Sequence, residues 1–341
     1  MKDLARCLGF KPIYGTMQKS DLRIVFMGTP EFAVATLKAL VENNYNVVAV
    51  VTQPDKPVGR HGSTLQPSAV KQYALSQGLP VLQPEKMKDP AFVEQLRSFD
   101  ANLQVVVAFR MLPEVVWAMP RYGTFNVHAS LLPQYRGAAP INWAVINGET
   151  QTGVTTFFLD HEIDTGRIIE QATFDIPADA DVEYVYDGLM QLGADICLST
   201  LEKILQADGS PATTAQGDVA GGQLKPAPKL FKETCQIDWR MEARRVHNFV
   251  RGLSPSPGAW TLLCDGSGTE TVLKVYRTSL SGLPAGANEP GCLVADKKHL
   301  YIACTDEFLQ VDELQLAGKK RMAAAAFLNG QKGLEGSVCK F

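Results

Sequence analysis

Apolar positions follow one rhythm in the first part of this chain and another in the last. Leu22 to Met27, Val47 to Val51 and Leu103 to Phe109 are nearly continuous apolar runs, as expected of strands buried on both faces of a parallel sheet. Val81-Leu82 reads as a short strand of the same kind, and Gly123 to His128 as the fifth strand. Stretches with helical spacing separate them. One runs through Leu37, Leu40 and Val41 and opens on Thr29 as N-cap, Pro30 as first helical residue and Glu31 in the first turn. Ser68 to Gln77, a segment from Asp89-Pro90 through Phe92, Val93 and Leu96, and Leu112 to Met119 are the others. This alternation predicts an α/β fold, a doubly wound Rossmann-like sheet with right-handed crossovers.

The pattern then changes. Pro140 to Ile146 predicts a helix, Val154 to Leu159 a strand, and Gly166 to Ile176 a strand pair or extended hairpin. Asp181 to Ala207 is a long amphipathic helix, with Tyr184, Leu189, Leu192, Ile196, Leu201 and Ile204 near one face. Residues 208–228 are rich in Gly, Pro, Ala and Thr without periodicity, which is linker composition. Beyond Lys229 a short helix, Glu242 to Val250, precedes brief β-like runs separated by Gly-rich turns. They are Ala259 to Leu263, Thr271 to Val275, Gly291 to Val294, Leu300 to Ala303 and Phe308 to Leu316. Short strands of this kind predict a small C-terminal β-barrel, OB-like in class. The expected organisation is a loose N-terminal extension (1–20), a catalytic domain (21–207), a linker (208–228) and a barrel domain (229–341).

Length and composition agree with that division. A chain of 341 residues exceeds one ordinary core, and 20% charged with 45% hydrophobic residues is a globular balance. No apolar run approaches the roughly 18 residues of a membrane helix, so no membrane partner is expected. The first 20 residues lack the apolar core of a secretory signal, and Met17 is an alternative start. An organelle-targeting role for them is the other reading. The seven cysteines are scattered and include no C-x-x-C pair, which predicts reduced thiols and a cytoplasmic protein. The five histidines show no ligand spacing, so no metal is expected. Residues 226–341 hold 15 basic and 12 acidic residues, a net +3, while residues 1–225 carry −6. A positive barrel behind a negative catalytic domain hints at a polyanionic partner. Arg244, Arg245, Lys297, Lys298, Lys319, Lys320 and Arg321 are its candidate contacts.

Candidate chemistry gathers at the carboxyl ends of the strands, where open α/β sheets keep their sites. Asn126 and His128 are two residues apart on an extended segment and so share a face. The turn Ser130-Leu131-Leu132-Pro133 follows, and Asp160-His161-Glu162-Ile163-Asp164-Thr165-Gly166 is an acidic loop. An amide, an imidazole and a carboxylate suit acyl transfer to an amine. The amide holds a developing oxyanion, the imidazole donates or moves protons, and the carboxylate keeps the imidazole charged or acts as a base. Ser130 lacks the G-x-S-x-G setting of an acyl-enzyme serine. Gly28-Thr29-Pro30 is not G-x-G-x-x-G, and Pro30 offers no N–H to a pyrophosphate, which excludes nicotinamide chemistry. Taken singly, Asp164-Thr165-Gly166 is an ordinary turn and His128 an ordinary strand-end residue. Their conjunction is what carries information.

Four segments in order resemble the methionyl-tRNA formyltransferase family. They are Phe26-Met27-Gly28-Thr29-Pro30-Glu31-Phe32, Thr52 to Arg60, Asn126 to Pro140, and Ile163-Asp164-Thr165-Gly166. The similarity runs from about Leu22 through Ile237-Asp238-Trp239 and more loosely through Arg251 to Trp260 into the barrel. It implies formyl transfer from 10-formyltetrahydrofolate to the α-amino group of initiator methionyl-tRNA, a step of translation initiation in protein biosynthesis. It implies Asn126, His128 and Asp164 as catalytic residues. The folate would lie along Phe109-Arg110-Met111-Leu112-Pro113 and the turn Ser130 to Pro133, with Asp160 and its loop beside the pterin. Lys56 and Arg60, in the loop after the second strand, would meet the tRNA acceptor arm, and Arg244, Arg245, Lys319 and Lys320 would hold tRNA on the barrel. No obligate protein partner is implied. Arg110 stands where the family commonly has small or aromatic residues, and His61-Gly62-Ser63 where it is often more basic. The rival readings are a formyltransferase acting on a nucleotide amino sugar or glycinamide nucleotide, and a formyltetrahydrofolate hydrolase.

Overall fold

The structure, a computed structural model, describes residues 17–58, 64–219, 221–265, 268–330 and 337–341. Arg60 and the first sixteen residues of the expected N-terminal extension lie outside the described residues. Two compact units account for the rest. The first comprises the described residues through Phe125 together with Cys197–Thr213, and the second Asn126–Ile196 with Thr214–Phe341.

The first unit is built on β1 (Arg23–Gly28), β2 (Asn46–Val51), β5 (Val81–Leu82) and β6 (Leu103–Val107). β1 pairs in parallel with β2 and with β6, and β2 in parallel with β5. Ile24, Val25, Phe26 and Met27 are fully buried, as the unbroken apolar run requires. Helices α1 (Glu31–Glu42), α2 (Ala69–Ser76) and α3 (Pro90–Ser98) connect these strands. The Ser68 side chain accepts from Lys71 N and the Asp89 side chain from Ala91 N, so both helices are capped at their starts. The start of α1 differs by one residue from expectation. Pro30 itself takes the capping position without a side-chain bond, and the Thr29 hydroxyl instead meets Thr52 Oγ1 at 3.5 Å. The expected helix from Leu112 shrinks to α4 (Glu114–Trp117), because Pro113 sits in an extended conformation at its cap. A two-stranded ribbon, β3 (Lys56–Val58) with β4 (Thr64–Gln66), stands apart from the main sheet. Residues Lys19–Asp21 form a 3-10 turn held by Lys19 to Glu202 at 3.3 Å.

β7 (Thr124–His128) leads the chain into the second unit. There α5 (Pro140–Ile146) precedes β8 (Gln151–Phe158) and β9 (Ile168–Asp175), which pair antiparallel. The stretch from Gly166 to Ile176 is thus one arm of a hairpin with β8. The strands of the first unit follow the order β5-β2-β1-β6, and those that follow run β7-β8-β9. Helix α6 spans Val182–Gln206.

Residues 214–228 have linker composition, yet their backbone is pinned. Thr214 exchanges two 2.8 Å bonds with Ile168, and Ala227 O accepts from Ala138 N while Ala227 N donates to Arg136 O. A single turn of helix, α7 (Gln216–Val219), lies in this segment.

The barrel follows. α8 (Ala243–Leu253) runs three residues beyond the expected end. β10 (Ala259–Cys264), β11 (Glu270–Pro284), β12 (Leu293–Ala295), β13 (Leu300–Ala303), β14 (Glu307–Leu316), β15 (Met322–Ala323) and β16 (Val338–Lys340) form an antiparallel sheet. Its path is β12-β13-β14-β11-β10-β16, and a Cys292 to Val338 bridge brings the ends together. Val246, Val250 and Leu253 of α8 share the core with fully buried Trp239, whose indole N–H donates to Thr261 Oγ1 at 3.1 Å. The other side of α8 meets α5, where Asn142 Nδ2 donates to Gly252 O at 2.8 Å. The same helix therefore plugs the barrel and braces the segment that follows β7.

Candidate active site

The end of β7 presents the amide and imidazole. Asn126 is half-buried, and its Oδ1 is buried with no hydrogen-bond partner. Such an atom is costly to leave unsatisfied, about 1–3 kcal/mol, so it marks a place prepared for another group. His128 is 6% exposed and stands edge-on to Phe157. Its Nε2–H donates to the Tyr135 carbonyl at 3.0 Å. Because a carbonyl only accepts, this bond fixes the proton on Nε2 and leaves Nδ1 facing the site. Nδ1 lies 3.9 Å from Asp164 Oδ2.

Tyr135 is held for this purpose. Its φ is +60°, its N–H donates to Lys225 O, and its hydroxyl donates to Glu149. Asn147 Nδ2 donates to the same hydroxyl at 3.2 Å, and Lys225 Nζ meets Glu149 at 2.5 Å. Burial, then the bond to Glu149, push the Tyr135 phenol well above its ordinary range, so it stays a neutral donor.

Asp164 also sits in the left-handed region, at φ +56°. Its Oδ2 accepts from Gly137 N at 3.0 Å. A Cβ on Gly137 would overlap the Ala227 carbonyl oxygen, and the φ of +129° is itself one that side chains rarely adopt. Glycine here is what lets the loop bring an N–H to the carboxylate. Asp160 is exposed and organises the acidic loop from within, accepting from Glu162 N at 3.2 Å and Thr165 Oγ1 at 2.7 Å.

The turn after His128 is anchored through Ser130 and Leu132. Ser130 is fully buried and its hydroxyl donates to Gln134 O at 2.7 Å. Thr155 Oγ1 donates to Ser130 O at 2.6 Å and accepts from Leu132 N at 3.1 Å, while Gln171 Nε2 donates to Leu132 O at 2.9 Å. Leu131 is half-buried, and Leu132 and Pro133 are buried. Within the first unit, Met111 is 71% exposed beside buried Leu112, with Phe109 and Pro113 half-buried. Arg110 folds back, donating from Nη1 to Glu85 O at 2.9 Å and from Nη2 to Pro84 O, with its guanidinium 5.6 Å from the Phe109 ring. Burial lowers its pKa.

Of the basic residues considered for nucleic acid, Lys56, Arg244, Arg245, Lys297, Lys298, Lys319 and Lys320 are exposed. Arg321 is engaged with Glu313 at 2.6 Å and with the Tyr276 ring. Tyr135, Glu149, Thr155, Gln171, Arg136 and Gln216 hold the site and were not singled out from sequence. Their roles depend on partners distant in sequence that only folding brings close, which leave no spacing signal. Among the described residues no group of three or more His, Cys, Asp or Glu is placed to hold a metal ion, and no helix is long and apolar enough to cross a membrane.

Residues 22–201 match the family model described as "Formyl transferase", and residues 229–332 match "Formyl transferase, C-terminal domain". Of solved structures, a sugar 3N-formyl transferase, WlaRD, determined in the presence of dTDP and 5-N-formyl-THF, shares the fold. The TM-score is 0.60 at 18% identity, over 88% of this chain and 99% of that one. Fold and site together thus define the class as a two-domain formyl transferase. The methionyl-tRNA formyltransferase of Parabacteroides distasonis is 60% identical over 320 residues, 93% of this chain and 98% of the relative. That of Bacteroides thetaiotaomicron is 56% identical over 92% of this chain and 97% of its own. The chain belongs to the methionyl-tRNA formyltransferase family.

Proposed function

We propose that this protein transfers the formyl group of 10-formyltetrahydrofolate to the α-amino group of initiator methionyl-tRNA, in the cytoplasm, for translation initiation. The observation that carries the reading is the imidazole of His128, pinned at Nε2 by Tyr135 and facing Asp164 with Nδ1, beside the unsatisfied amide of Asn126. The neutral amine attacks the formyl carbon and a tetrahedral oxyanion forms. Asn126 Nδ2 and a protonated His128 Nδ1 donate to that oxygen. Asp164, 3.9 Å from Nδ1, orients the imidazole and assists loss of the amine proton. Collapse breaks the bond from carbon to N10 of the folate, and N10 takes up a proton as it leaves. No covalent enzyme intermediate is needed.

The folate is proposed to lie along Phe109 to Pro113 and the Ser130 to Pro133 turn, with Asp160 and its loop beside the pterin. The buried Ser130 serves there by shaping the turn, since its hydroxyl is committed to Gln134 O. The division proposed is a catalytic domain (21–207), a linker (208–228) and a barrel (229–341). Identity of 60% to a methionyl-tRNA formyltransferase supports this acceptor over an amino sugar or glycinamide nucleotide. Tetrahydrofolate release is the direct test. Release on adding methionyl-tRNA, and little with water alone or a nucleotide amino sugar, is expected. Equal release with water would favour a hydrolase and sink the proposal.

The tRNA is proposed to rest on the barrel through Arg244, Arg245, Lys319 and Lys320, with Lys56 and Arg60 engaging the acceptor end. Neutralising Lys319 and Lys320 together should raise KM for tRNA with kcat little changed. The log–log salt dependence should flatten by roughly one unit per lost phosphate contact. An unchanged salt slope would remove these lysines from the interface. Deleting the barrel is a poor substitute for this test. A chain cut after residue 208 also loses Pro228 O, which accepts from Trp143 Nε1 at 2.8 Å, and Gly252 O, which accepts from Asn142.

A further inference from the structure

Asp164 is the proposed catalytic group least secured by its own neighbourhood in sequence. It lies in an acidic loop, in the left-handed region that costs an L-residue roughly 1 kcal/mol or more. One side chain from far along the chain holds that loop. Gln216 opens α7, is only 4% exposed, and donates from Nε2 to Asp164 O at 2.8 Å and to Gly166 O at 2.9 Å. Its Oε1 accepts from Arg136 Nε at 3.0 Å and Nη2 at 2.6 Å. A carboxamide has two donor hydrogens and two acceptor lone pairs, and here all four are used. The amide therefore has one orientation, and the carbonyls on both sides of Thr165 are fixed by it.

The arrangement closes on itself. Arg136, which orients Gln216, is followed by Gly137, whose N–H donates to the Asp164 carboxylate. Gln216 thus holds the backbone of Asp164 while the Arg136-Gly137 step holds both Gln216 and the carboxylate. The segment carrying Gln216 is itself tied to β9 through Thr214.

We infer that Gln216, oriented by Arg136, is a positioning residue that sets the Asp164 carboxylate against His128 Nδ1. The inference rests on the proposed catalytic role of Asp164 and adds the connecting segment to the site. A small displacement of a catalytic group costs up to about 100-fold in rate. Gln216→Met keeps the volume and removes all four bonds.

The test is a double-mutant cycle with Asp164→Ala, measured as single-turnover formylation of methionyl-tRNA alongside KM and melting temperature. Q216M should lower kcat by about 10-fold or more with KM within about 3-fold. In the D164A background Q216M should change the rate by less than about 3-fold, because the group it positions is gone. R136M, which leaves both donations of Gln216 intact, should show a smaller loss that also vanishes in the D164A background. It serves as the second route if Q216M proves unstable. If Q216M and R136M lower the rate equally with and without Asp164, the inference is overturned and the catalytic reading stands. If D164A alone retains near-normal kcat, the catalytic reading and this inference both fall.

Discussion

Asn126→Ala is expected to lower kcat by about 100-fold or more while KM for the formyl donor changes little. The side chain is half-buried at the end of β7 and carries a buried oxygen with no partner in the free protein. Its removal therefore costs little folding energy and relieves an unsatisfied group, so the melting temperature should hold or rise slightly. What is lost is a donor to the oxygen that gains charge in the tetrahedral intermediate. A donor that strengthens mainly in the transition state acts on kcat rather than on ground-state binding. His128→Ala should match it in rate but not in stability, because His128 also binds Tyr135 O and packs edge-on to Phe157. His128→Gln would keep a donor toward Tyr135 and lose the ring nitrogen that faces Asp164, separating those two jobs. Near-normal kcat in Asn126→Ala, measured with saturating methionyl-tRNA, would remove the amide from the reaction.

The sequence was most informative where local chemistry decides local structure. Ser68 and Asp89 cap their helices as their residue types dictate, Pro140 opens α5, and continuous apolar runs become the buried parallel strands. Asn126 and His128 come together because period two is intrinsic to a strand. It was less informative where long-range contact overrides local pattern. β11 is fifteen residues long, far beyond the Thr271 to Val275 run. Register shifts between Val275 and Arg277, Arg277 and Thr278, and Leu280 and Pro284 break its alternation, so the period disappears from the sequence while pairing with β14 continues. β16 and the helix at Ala324–Gly330 carry too little pattern of their own, and depend on the barrel core that contains Cys339, Ala324 and Phe327. Residues 214–228 are the clearest case. Their composition is that of a tether, but a parallel bridge from Gly137 to Ala227 and the four bonds of Gln216 make them part of the site. A glutamine that serves through backbone carbonyls has no signature in spacing.

Gly166→Ala is expected to cost stability and activity together. The residue ends the Asp-Thr-Gly loop, and an added Cβ would overlap the Phe158 carbonyl oxygen, with Phe157 Cδ2 a further 3.3 Å neighbour. The obstacle is backbone, so no rotamer change relieves it. Either β8 and β9 part at this point, where Phe158 N donates to Arg167 O at 3.0 Å and Phe157 pairs with Ile168, or the loop shifts outward. Separation opens the cluster of Leu132, Phe157 and Ile168, to which the Ser130 to Pro133 turn contributes Leu132. An outward shift carries Gly166 O away from Gln216 and drags Asp164 with it. Overpacking of this kind costs about 1–3 kcal/mol, which for a chain of this size lowers Tm by roughly 1–4 °C. Displacing the carboxylate should also cost about 100-fold in kcat. The control lies close by in space though 51 residues away in the chain. Gly217, beside Gln216, has nothing within 4 Å of an added Cβ. Gly217→Ala should leave kcat unchanged and, by favouring α7, hold or slightly raise Tm. If Gly166→Ala melted and turned over like Gly217→Ala, the glycine would be dispensable, and the close approach of the loop to β8 could not be what holds Asp164 at its place.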